Sequence, residues 1–159
     1  MTLIVRPMAA HDKPPVMQIL RTTSEFKPIE VTVAEELIDA YLENGKVSGY
    51  SLLVAEENSA ILGYVCFGDT PLTEGTWDIF WIAVAKQQQG KGVGHALMTA
   101  AEEDIKNNRG RLILIETSST VDYEKTRRFY HNIGYSVICR VPDFYTPGDD
   151  KIVLEKRFD

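Results

Sequence analysis

The stretch Ile82-Ala83-Val84-Ala85-Lys86-Gln87-Gln88-Gln89-Gly90-Lys91-Gly92-Val93-Gly94-His95 decides how the rest of the chain reads. It leaves a β-type run (Thr76 to Ala85, Thr-Trp-Asp-Ile-Phe-Trp-Ile-Ala-Val-Ala), crosses three closely spaced glycines and enters a helix-type run. Glycine lets a backbone come close to a ligand and turn its N–H groups inward. The helix that follows adds unpaired N–H groups and its positive dipole end, so the loop predicts an anion site fit for a diphosphate. Two common phosphate loops fail on spacing. A Gly-x-x-x-x-Gly-Lys-[Ser/Thr] loop needs glycine where Ala85 stands and a hydroxyl where Gly92 stands. A Gly-x-Gly-x-x-Gly dinucleotide loop needs glycine where His95 stands. Taken alone, the pattern also suits a turn that only caps a helix.

Outward from the loop, Val93 to Asn107 reads as an amphipathic helix, with Val93, Ala96, Leu97, Ala100 and Ile105 inward and Glu102, Glu103 and Lys106 outward. In the strand before the loop, alternation predicts one shared face for Trp77, Ile79, Trp81 and Ala83. Arg111 to Thr117 is almost wholly apolar, which predicts a strand buried on both faces. A helix follows from Asp122 to Asn132, stopped by Gly134. Strands Tyr135 to Val141 and Lys151 to Phe158 then flank a loop turning on Pro147-Gly148. Upstream come a strand over Thr2 to Arg6, a helix from about Ala10 to Glu25, and a helix from about Val33 to Asn44. Thr32 and Glu35 read as a capping box for that second helix, and Gly45 as its stop. Strands Tyr50 to Glu56 and Ala60 to Gly68 complete the order βααβββαβαββ. That order predicts one α/β domain over residues 1–159, a mixed twisted sheet of about seven strands flanked by about four helices.

Composition limits the function classes. The 159 residues are 44% hydrophobic with a formal net charge of −6. A chain this acidic is a poor general binder of nucleic acid, whose affinity rests on Lys and Arg neutralising phosphates. Cys66 and Cys139 sit in apolar runs without metal-ligand spacing, so both are expected as reduced core thiols, with no metal. Met1 to Pro7 lacks the pattern of a signal peptide, and no apolar run is long enough to cross a bilayer. A cytoplasmic protein is the expectation.

The run Gln-x-x-Gly-x-Gly from Gln89, after an Ile-Ala-Val strand end and before an apolar helix, resembles the diphosphate loop of the GNAT acetyltransferases. Thr126-Arg-Arg-Phe-Tyr130-His-Asn-Ile-Gly134-Tyr135 is similar to that family's second signature. The resemblance covers about the last 80 residues, with 82–135 as the cofactor-binding core, and implies an acetyl-CoA-dependent N-acetyltransferase. It implies that pantetheine pairs with the backbone of Ile82, Ala83 and Val84 between splayed strands. The diphosphate would rest on N–H groups from Gln89 through Gly90, Lys91, Gly92, Val93 and Gly94 to His95. Lys91 suits either a charge near the phosphates or a solvated loop lysine. Tyr123 occupies the position, seven residues before Tyr130, where many relatives carry a cofactor-touching asparagine.

Acetyl transfer sets its own demands. The attacking amine must be neutral, so a carboxylate or a water chain has to take a proton. By resemblance Tyr130 is the proton donor to the leaving thiolate, a role compatible with core packing. Glu116, ending Leu-Ile-Leu-Ile, is the leading base, since such a run would desolvate it and raise its pKa. Its place is also similar to that of a base glutamate in the ribosomal-protein N-terminal acetyltransferase branch, although the stretch to Tyr130 is two residues longer here. Asp78 and Glu74 are the rivals. Phe144, Tyr145, Asp149 and Asp150 are candidates for the acceptor side. The acceptor is a small amine, a protein N-terminus or a lysine, attacked in a ternary complex, and a homodimer is compatible with the family. The alternative is a module that binds acyl-CoA without turnover.

Overall fold

The computed structural model describes residues 2–158. One seven-stranded sheet runs through it: β1 (Ile4–Pro7), β2 (Ser51–Glu57), β3 (Ala60–Asp69), β4 (Thr76–Val84), β5 (Leu112–Ser118), β6 (Ser136–Thr146) and β7 (Asp149–Arg157). Four helices flank it: α1 (Lys13–Thr22), α2 (Pro28–Asn44), α3 (Val93–Asn107) and α4 (Glu124–Asn132). The spatial order is β1-β2-β3-β4-β5-β7-β6. Among the described residues only β4 and β5 pair in parallel, joined by the crossover through α3. The mixed sheet and the βααβββαβαββ order agree with the sequence reading.

Each face of the sheet has its own core. On one face, α3 and α4 cover Val65, Phe67, Ile79, Ile113, Ile115 and Leu154, with Leu97, Ala101 and Ile105 from α3. On the other, α1 and α2 cover Leu52, Val54, Tyr64, Cys66 and Ala83. The β2–β3 hairpin closes on Asn58 and Ser59, both at positive φ (52° and 66°), as a two-residue turn matched to strand twist requires.

Several expectations are corrected. Helix α2 starts at Pro28, not Val33. Proline is favoured at N1, and Thr32, in place of capping, returns its hydroxyl to the Pro28 carbonyl at 3.1 Å. Strand β4 does not keep one face. Its register against β3 slips between Cys66 and Phe67, so Phe80 bulges out. Trp77 and Ile79 therefore lie with the α3 core, and Trp81 and Ala83 with the α1–α2 core. Strand β5 is not buried throughout on both faces: Ile113 and Ile115 are buried in the α3 core, Leu112 and Leu114 are half-buried on the other face, and Glu116 is exposed. Glu102 is buried, taking hydrogen bonds from Tyr135 (2.8 Å) and Lys156 (2.9 Å). Cys66 is buried as expected, but Cys139 is exposed, because β6 is an edge strand with no layer over it. The loop expected between the last strands is mostly strand, narrowed to the turn at Pro147-Gly148.

Candidate active site

The parallel pairing of β4 with β5 runs only from Thr76–Leu112 to Ile79–Ile115. Beyond that point β4 stays paired to β3 through Val84, and β5 stays paired to β7 through Ser118. Between them the sheet opens. The unpaired edge of β4 from Phe80 to Val84 is roughly 15 Å long at ordinary strand rise. Its backbone groups face the gap, the place the sequence reading gave to Ile82, Ala83 and Val84.

At the wide end of this gap lies the glycine loop. Gly90 and Gly92 take φ of 77° and 88°, conformations that favour glycine, and Gly92 is the N-cap of α3. The N–H groups of Gly90, Lys91, Gly92, Val93, Gly94 and His95 find no acceptor among the described residues; the first helical bond is Ala96 N–H to Gly92 O at 3.0 Å. A Cβ built on Gly90 or Gly92 would meet no atom within 4 Å, so the loop is not plugged by its own side chains. Six free amides at a helix start, beside a slot with free strand edges, form a donor set that fits a diphosphate with an extended amide-bearing arm, as in coenzyme A. Val93 itself points into the core, and Lys91 and His95 are exposed. The Gln89 side-chain amide donates from Nε2 to the Val84 carbonyl at 3.2 Å, and Lys125 donates to Gln89 Oε1 at 3.4 Å.

Helix α4 packs against the same loop. The Phe129 ring sits where a Gly94 side chain would be, 3.2 Å from a built Cβ, so glycine there permits the close approach. The next residue, Tyr130, is buried, with its ring 5.5 Å from Phe129 and 6.0 Å from Tyr135. Burial pushes its hydroxyl well above the ordinary tyrosine range. No described residue hydrogen-bonds to that hydroxyl. Tyr123, which the resemblance placed near the cofactor, has its hydroxyl engaged within the protein. Its hydroxyl donates to the Glu25 carbonyl (3.0 Å) and to Glu30 (3.3 Å), tying the start of α4 to the α1–α2 connection. The longer side chain reaches a partner that an asparagine there would not.

The carboxylates divide by environment. Glu116 does not have the desolvation inferred from its apolar run: its side chain is 47% exposed and pairs with Lys151 at 3.1 Å. Asp78 is half-buried and takes a 2.6 Å hydrogen bond from Thr70. Glu74 is exposed at the opposite end of the paired segment, away from the opening. Asp149 is buried and bonded by Ser118, and Asp150 is paired with Arg140 at 2.6 Å. Partial desolvation first, then the charges of Glu116, Asp149 and Glu30, push the hydroxyl of the half-exposed Tyr145 up to about 12. Sequence reasoning missed Glu30, Thr70 and Lys151. Thr70 becomes legible only once the β3–β4 register is known, and Glu30 only once α2 is seen to begin at Pro28.

Among the described residues no cluster suited to a metal ion is found, and no helix is long and apolar enough to cross a membrane. Residues 48–137 match the acetyltransferase (GNAT) domain family. A crystal structure of a GNAT-family acetyltransferase from Desulfovibrio desulfuricans superposes with a TM-score of 0.94 at 39% identity, over 98% of this chain and 99% of that one. YncA from Salmonella typhimurium, solved with acetyl-CoA, shares the fold at a TM-score of 0.81 and 21% identity, over 100% and 95% of the two chains. An uncharacterized N-acetyltransferase of Methanocaldococcus jannaschii is 29% identical over 107 residues, 65% of this chain; the chain spans 64% of that relative's length, less than two thirds. With the opened strands, the glycine loop and the matched segment in agreement, the chain belongs to the GNAT acetyltransferase family.

Proposed function

We propose that this protein transfers an acetyl group from acetyl-CoA to a primary amine, by direct attack while both are bound. One observation carries the reading: β4 and β5 part directly beside six amides that have no acceptor among the described residues. Support for the acyl donor comes from YncA, solved with acetyl-CoA, and for the amine from the M. jannaschii N-acetyltransferase.

Acetyl-CoA, when bound, supplies the thioester carbonyl that the amine attacks. The amides of Gly90 to His95, with the α3 dipole, hold the diphosphate. The free edge of Ile82, Ala83 and Val84 aligns the pantetheine arm and, near the Phe80 bulge, offers backbone N–H to the carbonyl oxygen as charge grows on it. Tyr130 stays protonated across the working pH range and donates to the leaving sulfur. The same dry surroundings that disfavour a phenolate also disfavour a free thiolate, so burial does not block this transfer. A carboxylate in the opening, Glu116 or Asp78, receives the amine's proton. The acceptor enters from the face carrying Glu30, Asp78, Glu116 and Asp149, whose charge suits an amine.

Incubation with acetyl-CoA and a panel of L-amino acids, alkyl diamines and peptides with free N-termini tests the reading by mass spectrometry. A mass gain of one acetyl group on a panel member is the expected result. Coenzyme A binding without transfer to any member would instead make the protein an acyl-CoA-binding module.

A further inference from the structure

With no hydrogen bond to its hydroxyl from any described residue, Tyr130 is aimed only by what its ring and its helix lean on. Beside it lies a buried charge that the chemistry does not touch. Glu102, on α3, has both carboxylate oxygens engaged: Oε2 accepts from the Tyr135 hydroxyl at 2.8 Å, and Oε1 from the Lys156 ammonium at 2.9 Å. Lys156 stands opposite Ile113 on β7 and so faces the α3 core. The same ammonium donates to the carbonyl of Ile133, the C-cap residue of α4, at 3.0 Å. A cation suits that negative helix end. Tyr135 completes the link to Tyr130. Its N–H bonds the Tyr130 carbonyl at 3.0 Å, and its ring lies edge-on with the two centres 6.0 Å apart.

We infer that Lys156 and Glu102 are positioning residues for acetyl transfer, holding the end of α4 that carries Tyr130 against the helix whose start holds the diphosphate. The inference rests on the acetyl-transfer reading above and on Tyr130 as proton donor. Helix α3 begins at the free amides and α4 ends at Ile133. The pair therefore fixes where the Tyr130 hydroxyl stands relative to a thioester anchored at the glycine loop. Stability alone does not call for charges here, since exchanging a buried ion pair for apolar side chains of similar volume is often neutral. What the pair adds is direction. A carboxylate with both oxygens engaged, and an ammonium shared between two acceptors, tie α3, α4 and β7 in one arrangement. A catalytic group displaced by about 1 Å costs on the order of 100-fold in rate.

The test is a double-mutant cycle on kcat, with acetyl-CoA and the best-acetylated amine of the panel. K156M, Y135F and the apolar triple E102L/K156M/Y135F are each made with Tyr130 and with Y130F. Calorimetry with coenzyme A and urea denaturation are run alongside. With Tyr130 present, K156M and the apolar triple should lower kcat about tenfold and Y135F about threefold, with coenzyme A affinity kept within about twofold. With Y130F, the same replacements should lower kcat by less than a further factor of about two, because no hydroxyl remains to be placed. A merely structural role would not produce that difference between backgrounds. The apolar triple leaves no unpaired buried charge and Y135F removes one hydroxyl, so the test does not depend on K156M folding. Equal losses in both backgrounds, an unchanged kcat in the apolar triple, or coenzyme A affinity falling in step with kcat overturns the assignment. A wild type that acetylates no amine overturns the acetyl-transfer reading itself, whereas an active wild type with equal losses overturns only the positioning role.

Discussion

The side-chain amide of Gln89 donates to the main-chain carbonyl of Val84 at 3.2 Å, fastening the glycine loop to the end of β4. The bond joins the two surfaces that the account gives to one ligand, the strand edge and the free amides. A neutral hydrogen bond of this kind contributes about 0.5–1.5 kcal/mol. Gln89→Ala should therefore weaken coenzyme A binding by roughly 2–10-fold in calorimetry while leaving thermal stability little changed.

Gly92 tests the loop's shape. Its φ of 88° costs an L-residue about 1–2 kcal/mol, while an added Cβ meets nothing within 4 Å. Gly92→Ala should fold, yet bind coenzyme A roughly 5–30-fold more weakly as the loop relaxes from its binding shape. Unchanged affinity would show that this backbone conformation is not used.

Tyr130 separates chemistry from binding. Tyr130→Phe keeps the ring contacts with Phe129 and Tyr135 and removes only the hydroxyl. The expected result is a fall in kcat of about 100-fold with coenzyme A affinity unchanged. A loss of less than about threefold would take the proton-donor role away from it.

Stability in acid should follow Asp12. The Arg6 guanidinium, 2.7 Å away, holds this buried carboxyl below its usual range. The folded value lies below the unfolded one, so the stabilisation is complete above about pH 3.9 and is lost as pH falls through the lowered folded value. Asp12→Ala should cost about 1–2 kcal/mol at neutral pH by chemical denaturation, because Arg6 is partly exposed and keeps its pair with Glu56, and progressively less in acid. A difference that does not change with pH would contradict the ion-pair origin.

The element order and the loop were legible because glycine spacing and apolar periodicity are local signals. Facts set by neighbouring strands were not. The bulge at Phe80 depends on the register against β3, and it reverses the face of Trp81 relative to Ile79. Glu116 ends an apolar run, but nothing in that run shows that its side chain stays exposed or that Lys151 arrives on β7. Likewise Glu102 looks like a surface residue until Lys156 and Tyr135 are brought to it from 54 and 33 residues away. Cys139 has core-like neighbours in sequence and an edge strand in space.

Titration of ¹⁵N-labelled protein with coenzyme A, read residue by residue from backbone amide shifts, puts the diphosphate assignment to its most direct test. The account predicts saturable shifts concentrated at Gly90 to His95, with a second set along Phe80 to Val84. No binding, or shifts that leave those amides unmoved, would contradict it.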